Sequence, residues 1–264
     1  ETYLDNIEFS GRREGQGWQE IKVSGRNPLA GDREDTDPQF VATEKLGSGE
    51  FSIAFGPLAN GQYPLHIEVE DLGSLVSAVK GKNIMRSGYL VLDGDSQGPL
   101  FTEPLQADLQ LSYFTLKEAP AISSVLNMAS LTQIISTFRQ TGLAFNSASG
   151  GLQLDGSRLS IEDMHLKGGS LGVVSSGWMD LKQQTLELEG VVVPLSNLNT
   201  LVGKIPLFGR IVVGKDGHGI TAIDYTVTGT ISDPVASIRK EALTPELLEN
   251  ITGTGNGSGD QAPR

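Results

Sequence analysis

The chain has 264 residues, 33 of them Gly, with 32 acidic against 20 basic residues, a net charge of −12 and no Cys. That balance argues against nucleic-acid binding, which needs clustered Lys and Arg, and the missing thiols exclude disulfides, thiol catalysis and Cys-ligated zinc. With 38% hydrophobic and 20% charged residues the composition is that of a folding chain, and the glycine excess argues against an all-helical one.

Residues 1–60 carry strand patterns without a distinctive motif, interrupted at 27–38 by a polar loop holding Asp32, Glu34, Asp35 and Asp37. Leu65, Ile67 and Val69 then alternate with His66, Glu68 and Glu70, the pattern of a strand with one apolar and one wet face. Asp71 is placed to cap a helix carrying Leu72, Leu75, Val76 and Val79, and Gly81 to end it. Leu90 and Leu92 follow in the segment GYLVLDG (88–94), and Leu109 and Leu111 alternate with Asp108, Gln110 and Ser112.

Residues 119–138 contain no charged side chain. Aliphatics recur there at helical spacing, first Ile122, Val125, Leu126 and Ala129, then Leu131, Ile134, Ile135 and Phe138, with Gly142 as the stop. The length predicts a helix of about 30 Å. It is too polar for a membrane span and has no basic face for an interfacial helix. It either covers the sheet as a core helix or meets lipid at the mouth of an apolar groove.

The segment GGLQLDG (150–156), with Leu152 and Leu154, repeats the 88–94 motif at an offset of 62, and residues 49–56 form a looser third copy. Weak repetition of strand units predicts an elongated sheet. Alternation continues through Leu171 and Val173, Leu186 and Leu188, and Ile223, Tyr225 and Val227. Short turns are expected at Gly61-Gln62, at 182–184 and at 215–217, and further helix starts at Ser196 and at Thr244-Pro245. Residues 253–264 have a linker composition and are expected to be disordered.

Catalytic patterns are sparse. His66, His165 and His218 fall in separate strands or turns, without the spacing of a zinc site. Asp93-x-Asp95-x-Gln97 opens like a calcium loop, but Pro104 stands where the loop needs Glu. Ser77-Ala-Val-Lys80 spells S-x-x-K without its partner motifs, and no nucleophile-elbow or phosphate-binding glycine motif occurs. The expectation is a protein that is not an enzyme, with no metal and no cofactor.

One set of motifs is more specific: VPLSNLN (193–199), LVGKIPLFG (201–209), GKDGHG (214–219), YTVTG (225–229) and Asp233-Pro234. In this order and spacing the second half resembles the C-terminal region of the AsmA-like bacterial envelope proteins, particularly the YhdP branch. The residues carrying the likeness are Asn199, Gly203, Ile205, Pro206, Gly209, Gly214, Gly219, Gly229, Asp233 and Pro234, whose Gly and Pro chemistry reads as structural turns. Asp71-Leu-Gly73, the strand after Gly88 and Ala119-Pro120 extend it over roughly residues 70–250. The segment 239–248 (RKEALTPELL) departs from the family in being more acidic.

The resemblance implies a mainly β chain with several helices (α+β). It would form an elongated, twisted, U-shaped antiparallel β-groove with amphipathic helices at or across its end. Residues 1–118 would supply groove strands with one short helix, 119–252 the AsmA-like C-terminal region and 253–264 a tail. Candidates for the lining are Leu65, Ile67, Val69, Leu90, Leu92, Leu109, Leu111, Leu152, Leu154, Leu171, Val173, Leu186, Leu188, Ile223, Tyr225 and Val227. The helix at the groove end would present Ile122, Val125, Leu126, Leu131, Ile134, Ile135 and Phe138. The implied function is the distal end of a periplasmic bridge conducting phospholipid, or another acyl-chain lipid, between the membranes of a Gram-negative bacterium. Its partners would be the outer membrane or an outer-membrane protein, and the upstream part of the same polypeptide, anchored in the inner membrane by an N-terminal helix absent here. No nucleic acid is expected. The alternative is an envelope scaffold or an assembly factor for outer-membrane proteins.

Overall fold

Alternation of apolar and polar residues gives one antiparallel sheet in the computed structural model, which describes residues 4–27, 49–194 and 222–240. Its strands are β1 (Asp5–Glu14), β2 (Gly17–Arg26), β3 (Glu50–Phe55), β4 (Tyr63–Val69), β5 (Met85–Ser96) and β6 (Leu105–Leu116). They continue with β7 (Leu143–Asp155), β8 (Arg158–Gly168), β9 (Leu171–Asp180), β10 (Thr185–Pro194), β11 (Ile223–Thr230) and β12 (Pro234–Lys240). The order in space is the order in sequence, so each strand pairs only with its chain neighbours. Helix α1 (Leu72–Lys80) lies between β4 and β5; α2 (Pro120–Met128) and α3 (Thr132–Gln140) lie between β6 and β7. The mainly antiparallel, open sheet with a few helices agrees with the sequence reading.

The expected caps of α1 are present. Asp71 Oδ1 accepts the Ser74 N–H at 2.9 Å and Oδ2 accepts the Ser74 hydroxyl at 2.6 Å. Gly81, at φ 65°, closes the other end with its N–H on Ser77 O, so Ser77 and Lys80 belong to an ordinary helical turn. Gly61 (φ 86°) and Gln184 (φ 57°) make the positive-φ turns of two hairpins.

The expectation of a single helix over 121–139 is corrected. Ser130 takes a φ of 58°, and the Leu131 N–H reaches back to Leu126 O, which ends α2 before α3 begins. The cause is phase. On a straight helix Ile134 and Phe138 would lie roughly 80–120° around the axis from Leu126. The break lets all three face one core, where they are 5%, 8% and 0% exposed. Among the described residues no helix is long and apolar enough to cross a membrane.

The repeated motif does not mark structural equivalence. Strands β5 and β7 both flank β6, yet the row through Leu90 continues to Leu111 and Ala148, not to Leu152. The two copies are thus out of register by four residues along β7.

Two apolar clusters hold the sheet. The larger joins Met85, Leu111, Phe114, Leu143, Phe145, Leu171, Val173, Leu186, Tyr225 and Val227 to Val125, Leu126, Ile134 and Phe138 of the helix pair. The smaller centres on Phe55, Leu65 and Leu105.

Candidate functional site

Cross-strand register fixes which residues share a face, because partners directly opposite point the same way. One row crosses all twelve strands: Gly11, Ile21, Phe55, Leu65, Gly94, Ala107, Leu152, Ile161, Gly177, Leu188, Val227 and Ala236. It contains no polar side chain. A parallel row runs Gly25, Phe51, Val69, Leu90, Leu111, Ala148, Leu166, Val173, Val192 and Ile223. Between them lie Val23, Ile53, Ile67, Leu92 and Leu109. Leu154, Leu171, Leu186 and Tyr225 keep the same strand parity. All sixteen residues picked out by alternation therefore occupy one face.

On this face adjacent strands crowd one another at their glycines. A Cβ added to Gly190 would stand 1.9 Å from Val174 O, one on Gly177 2.2 Å from Glu187 O, and one on Gly94 2.3 Å from Gln106 O. On the opposite face the nearest atom to such a Cβ is 3.5 Å away at Gly151 and 3.9 Å at Gly172.

Among the described residues α1 packs against the larger cluster through Leu72 and Val76, and two further segments lie against the apolar face. The loop after β5 is tied to β2 by a reciprocal pair, Trp18 N–H to Leu100 O at 3.2 Å and Leu100 N–H to Trp18 O at 3.0 Å. This brings Leu100 onto the Phe55–Leu65–Leu105 cluster. The other segment is α2, which packs on β11 and β12. Its Ser124 Oγ accepts the Ala236 N–H at 3.0 Å. Ile53, Ile67 and Leu92 remain only partly buried, and on β1 Ile7 and Phe9 are 54% and 63% exposed.

Tyr225 is the polar exception among the predicted residues. Its hydroxyl donates to Val174 O at 3.3 Å, and burial pushes its pKa above the ordinary phenol value. The reverse face is wet and acidic: His66, Asp93 and Asp108 line up across β4, β5 and β6. His66 Nδ1 meets Asp93 Oδ1 at 2.6 Å, and Tyr89 donates its hydroxyl to Glu68, which holds the Tyr89 proton on to higher pH. Asp93 and Asp95 are strand residues, and the described residues contain no group of three or more His, Asp or Glu placed to hold a metal.

Gly229, Asp233 and Pro234 form the β11–β12 hairpin, where Gly229 (φ 109°) pairs with Pro234 and the Asp233 N–H donates to Thr230 Oγ1. Asn199, Gly203, Ile205, Pro206, Gly209, Gly214 and Gly219 lie outside the described residues, as do His218, Asp32, Glu34, Asp35 and Asp37 of the loop expected at 27–38, the turn expected at 215–217, the helix starts expected at Ser196 and Thr244 and residues 253–264. Sequence reasoning missed Ile21, Val23, Phe51, Ile53 and Phe55 on the same face. The alternation in EFSIAF (50–55) was the available signal.

Residues 114–236 match the family model described as YhdP protein. They form a YhdP-family region. The match opens on Phe114 in β6 and closes on Ala236 in β12, so the YhdP-family region contains the helix pair and most of the larger apolar cluster. The family points to a bacterial envelope protein. No curated protein and no solved structure matches the chain significantly.

Proposed function

We propose that the chain binds phospholipid by its acyl chains along the apolar face and passes it across the strands, as part of a periplasmic path between the two membranes. The observation that carries this reading is the unbroken apolar row through all twelve strands, since an acyl chain needs a continuous surface free of unpaired polar groups. A concave face would suit such a path. From β6 to β12 is about 29 Å across a flat sheet at the usual strand spacing. Ser124 reaches at most about 20 Å from the end of β6, four extended residues and one helical turn away. A sheet that curves towards α2 would account for the bond between Ser124 and Ala236. The crowding at Gly94, Gly177 and Gly190 on that face fits the same curvature.

The test is lipid extraction and mass spectrometry of the purified chain, with Ile53→Glu and Ile67→Glu as variants. Both side chains are only partly buried, so charge there should strip bound phospholipid while circular dichroism stays unchanged. A folded wild-type chain that carries no phospholipid would sink the proposal. The scaffold reading has one observation in its favour: all ten residues of the edge strand β1 are exposed, a surface suited to strand addition. It predicts photocrosslinks from β1 to protein instead of lipid.

A further inference from the structure

The helix pair interrupts the sheet without being part of it. Leu116 and Leu143 are the last partners of the β6–β7 ladder, and residues 117–142 leave and return at that one point. Raising α2 and α3 from the face breaks no strand pairing. Neither helix has a side-chain cap hydrogen bond or an acid in its first turn, in contrast to α1 with Asp71. Nine-residue helices of this kind owe their stability to packing. The packing is supplied by Val125, Leu126, Ile134 and Phe138, none more than 8% exposed. Among the described residues one hydrogen bond, Ala236 N–H to Ser124 Oγ, ties the pair to the far strands.

The surface beneath is a continuation of the same face. Leu188, Val227 and Ala236 extend the row that starts at Ile21 and Phe55. Non-directional apolar contact holds the helices there, and an acyl chain makes the same contact. We infer that α2–α3 is a displaceable plug, which keeps the β11–β12 part of the apolar face shut until an acyl chain arriving from the more exposed end of the face takes its place. The inference rests on the lipid reading and adds its regulation: loading opens the far end of the face.

The chain has no Cys, so two labels can be placed cleanly. Spin labels at Gln133→Cys on α3 and Glu187→Cys on β10 sit on exposed positions and report the separation of plug and sheet. Vesicles of phosphatidylethanolamine and phosphatidylglycerol should shift the distance distribution towards a longer component. Ser124→Ala, which removes the tie and little else, should enlarge that component before lipid is added, by about fivefold for the loss of one hydrogen bond. A distribution that stays fixed, while titration with a fluorescent phosphatidylethanolamine shows binding, overturns the plug and leaves the lipid reading standing. If the fluorescent lipid does not bind at all, both fail together.

Discussion

Strand β1 at one end of the sheet and strands β11 and β12 at the other present the same kind of face, yet they bury it differently. On β1 Ile7 is 54% and Phe9 63% exposed, although Phe51, Phe55, Leu65 and Val69 further in are buried. At the other end Val227 is 1% exposed and Ala236 3%, because α2 lies on β11 and β12. Alternation therefore specifies a face but not its occupant. Occupancy depends on which connection is long enough to carry a helix back onto the sheet.

That contrast is open to direct attack. Leu126→Ala, at a side chain with no exposed surface, should cost about 3 kcal/mol in urea unfolding, within the usual range of about 2–5 for a buried leucine. Phe9→Ala on the open side should cost well under about 1 kcal/mol. Equal costs would mean that the helix pair is not what separates the two regions. Gly190→Ala comes next. Its Cβ would meet Val174 O at 1.9 Å, which predicts a loss of about 3 kcal/mol, whereas Gly172→Ala on the reverse face should change stability by less than about 0.5. A tolerated Gly190→Ala would argue against the crowding that marks the apolar face.

Smaller effects sharpen the difference between the helices. Asp71→Ala removes the α1 cap and should cost about 1 kcal/mol, read by thermal unfolding. The smallest effect belongs to Asp180, whose carboxylate accepts the Gln183 and Lys182 N–H groups at 2.8 and 2.9 Å and has its pKa lowered chiefly by the first of these. A lowered carboxylate pKa stabilises the fold above the unfolded value, and the stabilisation is lost as pH falls through the folded one. Asp180→Asn should therefore lower the melting temperature slightly at pH 7 and cease to differ from wild type in strong acid.

The strands were legible in the sequence because period two survives any tertiary context that leaves one face wet. Leu65, Ile67 and Val69 could be assigned to a face without knowing their partners, and the caps of α1 could be read from Asp71 and Gly81 alone. The break at Ser130 was legible in principle, since Leu126 and Phe138 cannot share a stripe on a straight helix. It was hidden by two stretches that each fit a helix separately. The closures were not legible. Trp18 and Leu100 meet through backbone groups, which every residue carries, and Ser124 finds Ala236 across 112 positions. Gly190 sits mid-strand, where the room for a side chain is set by the adjacent strand, which alternation along one strand does not reveal.

The strictly sequential strand order has a consequence for how such a molecule changes over time. A hairpin inserted at any turn adds two strands without rethreading or displacing the others, and lengthens the apolar face by about 10 Å. Length is thus a quantity this architecture can acquire in uniform increments, each new segment answerable only to its two neighbours.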